Sequence, residues 1–154
     1  MSRLLLDTNC LMDALVKGRP GCSEAREVIR RCNGMGDFGM ACSLSFKDVY
    51  YLLGRSYGEP RAREMTSAIM GVVATAPVSS EECDEAMRSG EPDFEDGIVR
   101  ACAELNDADF IITRDAKAFR GSRVPALTAA EYLGMVRKRE RAECELLEQG
   151  ICFW

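Results

Sequence analysis

The sequence predicts an α/β protein with a mainly parallel central sheet. Short apolar runs bounded by polar residues alternate along the chain with stretches whose apolar residues recur at helical spacing. Such runs are typical of buried parallel strands, and such stretches are typical of helices that cover a sheet. The length of 154 residues, with 47% hydrophobic and 29% charged residues, predicts one soluble globular domain.

The predicted strands are apolar runs that end in polar or turn-forming residues. The first comprises Leu4, Leu5 and Leu6 and is followed directly by Asp7. The runs cover residues 4–6, 38–43, 72–78, 110–113 and 124–127.

The predicted helices lie between these strands. They cover residues 9–17, 23–32, 45–53, 60–70, 80–87, 95–105 and 128–136. Pro60 in a first turn, and Ser79 or Ser80 and Thr128 as capping residues, are typical of helix starts. The tail at residues 137–154 is charged and predicted to be helical in its middle. We expect its apolar end, Ile151 to Trp154, to pack on the domain or on a partner subunit, because leaving it in water is unfavourable.

The composition excludes several kinds of site. The chain has no histidine, so it cannot supply a Ser-His-Asp triad, a Cys-His pair or a His-ligated metal. Its eight cysteines never form a C-x-x-C pair, which predicts reduced thiols that serve as small hydrophobic residues. No signal peptide or membrane-spanning run is visible, so we expect a cytoplasmic protein. The net charge of −5 argues against nucleic-acid binding, but a metal ion bound by carboxylates would offset part of it.

Four aspartates lie where predicted strands end or helices begin. They are Asp7, Asp48, Asp96 and Asp115, and Asp93 and Glu95 lie beside Asp96. Strand ends and helix starts share one edge of a parallel sheet, where binding sites form. Carboxylates without His or Cys are hard oxygen ligands that suit Mg²⁺ or Mn²⁺. The pattern therefore predicts metal-dependent phosphate chemistry without identifying the substrate.

Each acid also has an ordinary structural explanation. Asp7 precedes a helix and is a common N-cap residue. Asp48 lies three residues after Ser45, which is the spacing of a capping box. Asp93, Glu95 and Asp96 would favour the positive end of a helix dipole, and Asp115 would suit a turn. These explanations do not account for all the acids lying at one edge of one sheet.

The segment LLLDTNCLMD resembles the opening of a PIN domain, the nuclease domain of VapC-type toxins. Further along the chain, ACSLSFKDVYYLL, DFEDGIVRACAELNDADFIITRDAKAF and VPALTAAEYL resemble the later segments of that family in the same order. The match covers roughly residues 3–136, and it implies a three-layer α/β/α PIN-like domain over residues 1–136. The acids that match the family's acidic positions in these segments are Asp7, Asp13, Asp48, Asp96 and Asp115.

The resemblance implies a Mg²⁺- or Mn²⁺-dependent endoribonuclease that cleaves RNA phosphodiester bonds with metal-activated water. The implied catalytic and metal-binding residues are Asp7, Asp48, Asp96 and Asp115. The family commonly has Glu at the position of Asp48, so this shorter side chain reaches a metal directly or through water. Supporting roles fall to Thr8, Asn9, Ser43, Asp93 and Thr113, and weak RNA contacts to Arg114, Lys117, Arg120 and Arg123.

The family also implies partners, namely an RNA substrate, a cognate antitoxin and a second copy of the chain. Tyr50, Tyr51, Leu52 and Tyr57 form a run too apolar for one buried helix face, which agrees with a homodimer. The alternative is a core helix with one exposed tyrosine.

The sequence also allows comparison with other protein classes. The main alternative is a PIN-fold protein that cleaves weakly or not at all and acts by binding RNA or a protein. A HAD-type phosphatase would need an Asp where the chain has Asn9, and a receiver domain would need one at the end of a central strand.

Overall fold

A five-stranded sheet forms the centre of the structure, a computed structural model that describes residues 1–34, 36–90 and 93–148. The strands are β1 (Arg3–Leu6), β2 (Phe38–Cys42), β3 (Ala74–Ala76), β4 (Phe110–Ile112) and β5 (Ala126–Leu127). Their order in the sheet is β3-β2-β1-β4-β5, and every neighbouring pair is parallel. The predicted α/β fold with a parallel sheet is confirmed.

Helices cover both faces of this sheet. They are α1 (Thr8–Leu15), α2 (Cys22–Asn33), α3 (Ser43–Tyr57), α4 (Glu59–Met70), α5 (Ser80–Arg88), α6 (Phe94–Leu105) and α7 (Ala129–Glu148). Side chains alternate along a strand, so Leu4 and Leu6 face the core under α1–α4 and α7, whereas Leu5 faces the core under α5 and α6. The two cores make the domain a three-layer α/β/α structure.

The two edge strands are shorter than the sequence predicts. The runs at residues 72–78 and 124–127 contain only the short strands β3 and β5. Each of these strands has one neighbour, and Pro77 and Pro125 directly flank them without a backbone N–H to donate. Neither proline can donate a ladder hydrogen bond, although the Pro125 carbonyl accepts one from the Ile111 N–H at 2.9 Å.

Two helices are longer than predicted. Helix α3 starts at Ser43 and continues to Tyr57, where Gly58 ends it at a φ of +83°. Helix α7 is continuous from Ala129 to Glu148, so it extends past the predicted end near Val136 into the tail that was predicted to be helical. Beyond Val136 most side chains are exposed, so the apolar spacing that reveals a helix stops while the backbone hydrogen bonding continues. The Arg31 guanidinium, 3.0 Å from the Glu140 carboxylate, ties this part of α7 to α2.

The C-terminal end, the cysteines and the possibility of a membrane-spanning helix were also the subject of predictions. The apolar end at Ile151 to Trp154 lies outside the described residues, as does Cys152. The cysteines within the described ranges are free thiols, and Cys10, Cys42 and Cys102 among them are buried. No helix in the described part of the chain is long and apolar enough to cross a membrane.

The strand order places a crevice at the carboxyl ends of β1 and β4. The chain passes from β1 to β2 and β3 on one side and then returns to β4 on the other side of β1. In parallel α/β sheets, ligands bind where the order reverses in this way. Helices α1 and α3 begin directly after β1 and β2, so their first turns line the same edge.

Candidate active site

Asp7 lies at the end of β1, at the reversal in strand order. Its carboxylate accepts hydrogen bonds from the Thr8 backbone N–H at 2.7 Å, the Asn9 amide at 2.7 Å and the Thr113 hydroxyl at 2.8 Å. The first of these bonds makes Asp7 the N-cap of α1, as its ordinary structural explanation predicted. Burial nevertheless raises the pKa of Asp7, since the loss of hydration outweighs these hydrogen bonds.

Thr113 and Asn9 connect β1 to the segment after β4. The Thr113 hydroxyl, fully buried, donates to Asp7 and accepts a hydrogen bond from the Asp115 backbone N–H at 3.1 Å. The Asn9 side-chain oxygen Oδ1 accepts a hydrogen bond from the Arg114 backbone N–H at 3.0 Å. These two side chains therefore fix Asp7 relative to the backbone at Asp115, although the two acids are more than a hundred positions apart.

Asp96 enters the site from the opposite face of the sheet, in the first turn of α6. The Asp93 carboxylate caps this helix by accepting from the Asp96 backbone N–H at 2.8 Å. Partial burial, followed by the negative charges of Asp93, Asp7 and Asp115, raises the pKa of Asp96 to about 6. Asp7, Asp96 and Asp115 are thus close enough for their charges to repel one another.

Asp48 lies on the α3 wall of the site. The capping-box explanation for it is wrong, because α3 begins at Ser43 and Ser45 is already inside the helix, where it contacts the Cys42 thiol at 3.0 Å. The Asp48 carboxylate instead lies 2.6 Å from the Lys47 ammonium. Ser43, for which a supporting role was predicted, is the first residue of α3.

A cleft of about 460 Å³ joins these elements. Asp7, Asp48 and Asp96 line it, together with Thr8 and Asn9. Its apolar part is formed by Cys42, Ile98 and Val99, among others. Asp115 does not line this cleft; it is exposed beside it and begins a 3-10 turn at Ala116–Phe119. The structure therefore brings three of the four predicted acids into one cleft and places the fourth at its margin.

The donors in this cleft suit a hard divalent cation in their chemistry and position. They are carboxylate oxygens, and the repulsion among Asp7, Asp96 and Asp115 is of the kind that a cation relieves. Across residues 1–34, 36–90 and 93–148, however, no three acidic or cysteine side chains already converge at metal-binding distance. The acids are gathered at one edge, but they are not arranged as a finished coordination shell.

The predicted RNA-binding cations lie outside the cleft. Arg114 pairs with the buried Asp13 at 3.1 Å, and Arg123 lies 3.5 Å from Glu104, while Lys117 and Arg120 are exposed near Asp115. Two cations that the sequence analysis missed, Arg19 and Lys47, line the cleft itself. For Lys47 the signal was available, because it precedes a predicted site acid. Arg19 reaches the cleft from a loop, where it pairs with Asp13 at 2.7 Å, and nothing in its local sequence indicates this.

The fold and the site define a class of protein, a parallel α/β domain with carboxylates grouped where the strand order reverses. A family model described as PIN domain matches residues 3–117. The chain belongs to the PIN domain family. A search of the curated proteins finds no significant match to the sequence.

Solved structures of toxin–antitoxin proteins share this fold. VapBC2 from Rickettsia felis, bound to a DNA fragment from its promoter, aligns with a TM-score of 0.64 at 12% identity, over 82% of this chain and 98% of that one. A toxin–antitoxin complex from Klebsiella pneumoniae aligns at 0.61 with 22% identity, over 82% and 97%. VapC20 from Mycobacterium tuberculosis, described as a Sarcin-Ricin loop cleaving toxin, aligns at 0.61 with 16% identity, over 75% and 92%.

Proposed function

We propose that this protein is a divalent-metal-dependent endoribonuclease and the toxin of a toxin–antitoxin pair. The observation that carries the proposal is the meeting of Asp7 and Asp96 in one cleft, with Asp115 beside it, in a chain of the PIN domain family. The likeness to VapC20, described as a Sarcin-Ricin loop cleaving toxin, supports RNA as the substrate class.

In this proposal Asp7, Asp96 and Asp115 hold Mg²⁺ or Mn²⁺, and Asp48 reaches the ion directly or through water. When bound, such an ion supplies Lewis-acid stabilisation of the phosphate and lowers the pKa of water. Thr113, Asn9 and Thr8 keep the Asp7 carboxylate in place by their hydrogen bonds, and Asp93 fixes the helix start that carries Asp96.

Cations beside the acids complete the substrate site. Arg19 and Lys47 line the cleft with the acids, where Arg19 pairs with Asp13 at 2.7 Å and Lys47 with Asp48 at 2.6 Å, so RNA phosphates would compete with these carboxylates for the two cations. Lys117 and Arg120, exposed next to Asp115, extend this contact, whereas Arg114 and Arg123 are engaged by Asp13 and Glu104.

The partners and the location are part of the same proposal. The similar structures include complexes of toxins with antitoxins, which supports a protein antitoxin for this chain as well. We further propose that the protein acts in the cytoplasm as a homodimer. On α3 the side chains of Tyr51, Leu52 and Tyr57 are exposed, so more than one tyrosine of this run lies outside the core.

The decisive test is cleavage of RNA by the purified protein with Mg²⁺ or Mn²⁺ and with excess EDTA. Asp7→Asn and Asp96→Asn should each lower the cleavage rate by at least a hundredfold. Asp84→Asn, an exposed acid of α5 that does not line the cleft, is the matched control and should cleave at the wild-type rate. Cleavage that persists in both cleft variants would contradict the assignment.

The same assay separates this proposal from its alternative, a PIN-fold protein that binds without cleaving. The Lys47–Asp48 ion pair and the incomplete convergence of the acids favour that alternative. It predicts RNA or antitoxin binding with no metal-dependent cleavage in wild type.

A further inference from the structure

One face of α3 runs from the cleft outward across the protein surface. The residues at positions 44, 47, 48, 51, 52 and 55 share this face because they recur at helical spacing. All of them except Arg55 line the cleft, and Arg55 lies one turn beyond Tyr51. At 1.5 Å per residue the face is about 16 Å long. It therefore extends beyond the length of the single nucleotide that carries the scissile phosphate.

A second depression continues this face. It is lined by Lys47, Tyr50, Tyr51, Gly54, Arg55 and Glu59. Lys47 and Tyr51 line both hollows, so the acidic cleft and the second depression form one continuous surface. Glu59, at its far side, is neutralised by Arg63 at 2.6 Å and accepts a hydrogen bond from Tyr50.

Tyr51 is the centre of this surface and is unusually exposed for an aromatic side chain. Its residue is 59% exposed, and the Arg55 guanidinium lies over its ring at 5.9 Å from the centroid. Leu44 and Leu52, each 41% exposed, flank it on the same face. Within the described ranges, Arg55 forms this ring contact and no ion pair with a carboxylate.

The chemistry of this surface selects one class of ligand. An exposed aromatic ring offers a stacking surface to any nucleobase, and adjacent cations offer charge to the phosphates. A base can stack on a side chain only when it is free of its own helix, so such a surface favours single-stranded RNA over duplex RNA. In a chain with net charge −5, this surface carries Arg55, which has no carboxylate partner among the described residues, and Lys47, whose charge Asp48 partly offsets at 2.6 Å.

We propose that Tyr51 and Arg55 form a base-stacking subsite that holds an unpaired nucleotide next to the cleavage position. This inference rests on the proposed ribonuclease function and adds the substrate class, RNA that is single-stranded on the side of the scissile bond facing α3. Tyr51 stacks the base, and Arg55 and Lys47 contact the flanking phosphates.

The test measures RNA binding in full-length protein that carries Asp7→Asn, with EDTA present so that the RNA stays intact. The probe is a single-stranded RNA dodecamer containing 2-aminopurine, whose fluorescence falls when the base stacks. Tyr51→Ala should weaken binding roughly tenfold and remove the quenching, in line with the loss of one stacked base. Tyr51→Phe keeps the ring and should retain both. Arg55→Gln should weaken binding and reduce its salt dependence.

Tyr57→Ala is the matched control. Tyr57 lies on the same helix and is 48% exposed, but it lines neither hollow. This variant should bind the dodecamer as the parent does, and the duplex form of the same RNA should bind Tyr51→Ala and its parent equally. Equal weakening by Tyr51→Ala and Tyr57→Ala, or no weakening by either, overturns the subsite.

Three further outcomes distinguish this inference from an interface between copies and from the proposed ribonuclease function. If Tyr51→Ala leaves RNA binding intact but lowers the mass of the protein in solution, the surface is an interface between copies, and the subsite is overturned. If wild type cleaves RNA but Tyr51→Ala cleaves it with the same KM, the subsite fails while the ribonuclease function stands. If the dodecamer binds with Tyr51-dependent quenching but is never cleaved, the subsite stands and the nuclease proposal fails.

Discussion

Asp96 is charged at neutral pH at a cost to the folded protein. Partial burial and the neighbouring carboxylates raise its pKa to about 6, above its value of 3.8 in an unfolded chain. The folded state therefore holds its proton more tightly than the unfolded state does. Stability from this group is present below pH 4 and is lost as the pH rises towards 6.

Asp96→Asn removes this cost, so it should stabilise the metal-free protein at pH 7. The expected gain is about 1 kcal/mol after allowance for solvent screening at a half-buried site. Urea unfolding in EDTA at several pH values measures it. The difference between variant and wild type should grow from pH 4 to pH 6 and then level off. A difference that is constant with pH would contradict the account, and Asp84→Asn should show none.

Three of the proposed site acids were predictable from sequence because they lie close to a strand end or a helix start. Asp7 directly follows an apolar run, Asp115 lies two residues after one, and Asp96 lies in the first turn of an amphipathic stretch. The partners that orient them were less predictable. Asp48 contacts its own neighbour Lys47, and Arg19 reaches the cleft from a loop, and both contacts depend on side-chain directions that no spacing rule supplies.

At the scale of the elements, α5 and α6 meet at a point where only glycine fits. A Cβ added at Gly97 would lie 3.0 Å from the Ala86 Cβ and 3.2 Å from the Ala86 backbone oxygen. Because the backbone of α5 cannot rotate away as a side chain does, an added methyl group would separate the two helices. Asp96 is the neighbour of Gly97, so this close approach also sets the position of a proposed catalytic acid.

Gly97→Ala should lower the free energy of unfolding by about 1–3 kcal/mol, even though alanine favours helices. Gly134→Ala is the matched control, since a Cβ there meets no atom within 4 Å. That control should raise stability by about 0.5–1 kcal/mol. Urea denaturation of both variants distinguishes close packing from helix propensity, and a stabilising Gly97→Ala would refute the packing argument.

The lengths of the elements were predictable only where burial controls them. Strand β1 is buried along Leu4, Leu5 and Leu6, and its predicted and observed positions agree to one residue. Helix α7 continues past Val136 through backbone hydrogen bonding. Its residues there are mostly charged and exposed, so the sequence has no apolar spacing that would predict the helix. The edge strands differ from prediction in the opposite direction, because their apolar runs are longer than the paired segments β3 and β5.

For the whole molecule, binding of a divalent ion should raise the melting temperature. The ion relieves repulsion among Asp7, Asp96 and Asp115 and binds only the folded chain. At a concentration of 100 times the Kd, we expect a rise of about 5–10 °C with Mg²⁺ or Mn²⁺. Asp7→Asn should abolish the rise and Asp84→Asn should keep it. An unchanged rise in Asp7→Asn would place the ion elsewhere.

A chain that ends at Val136 should fold nearly as well as the full chain. It keeps the buried Tyr132, Leu133 and Val136, and it loses the ion pair between Arg31 and Glu140, which is worth under about 1 kcal/mol at the surface. A chain that ends at Thr128 loses all three buried side chains and should not fold. Circular dichroism and urea denaturation compare them. An unfolded Val136 product would extend the domain beyond residues 1–136.

The central position of β1 has a consequence for the protein during its synthesis. The first strand to leave the ribosome pairs on one side with β2, but its other partner, β4, begins only at Phe110. Until that strand arrives, Asp7 lacks the Thr113 hydroxyl, and Asp115 has not been made. An interrupted translation product that stops before β4 therefore has three of the four proposed site acids but lacks Asp115 and the Thr113 hydroxyl, so it should not perform the proposed cleavage.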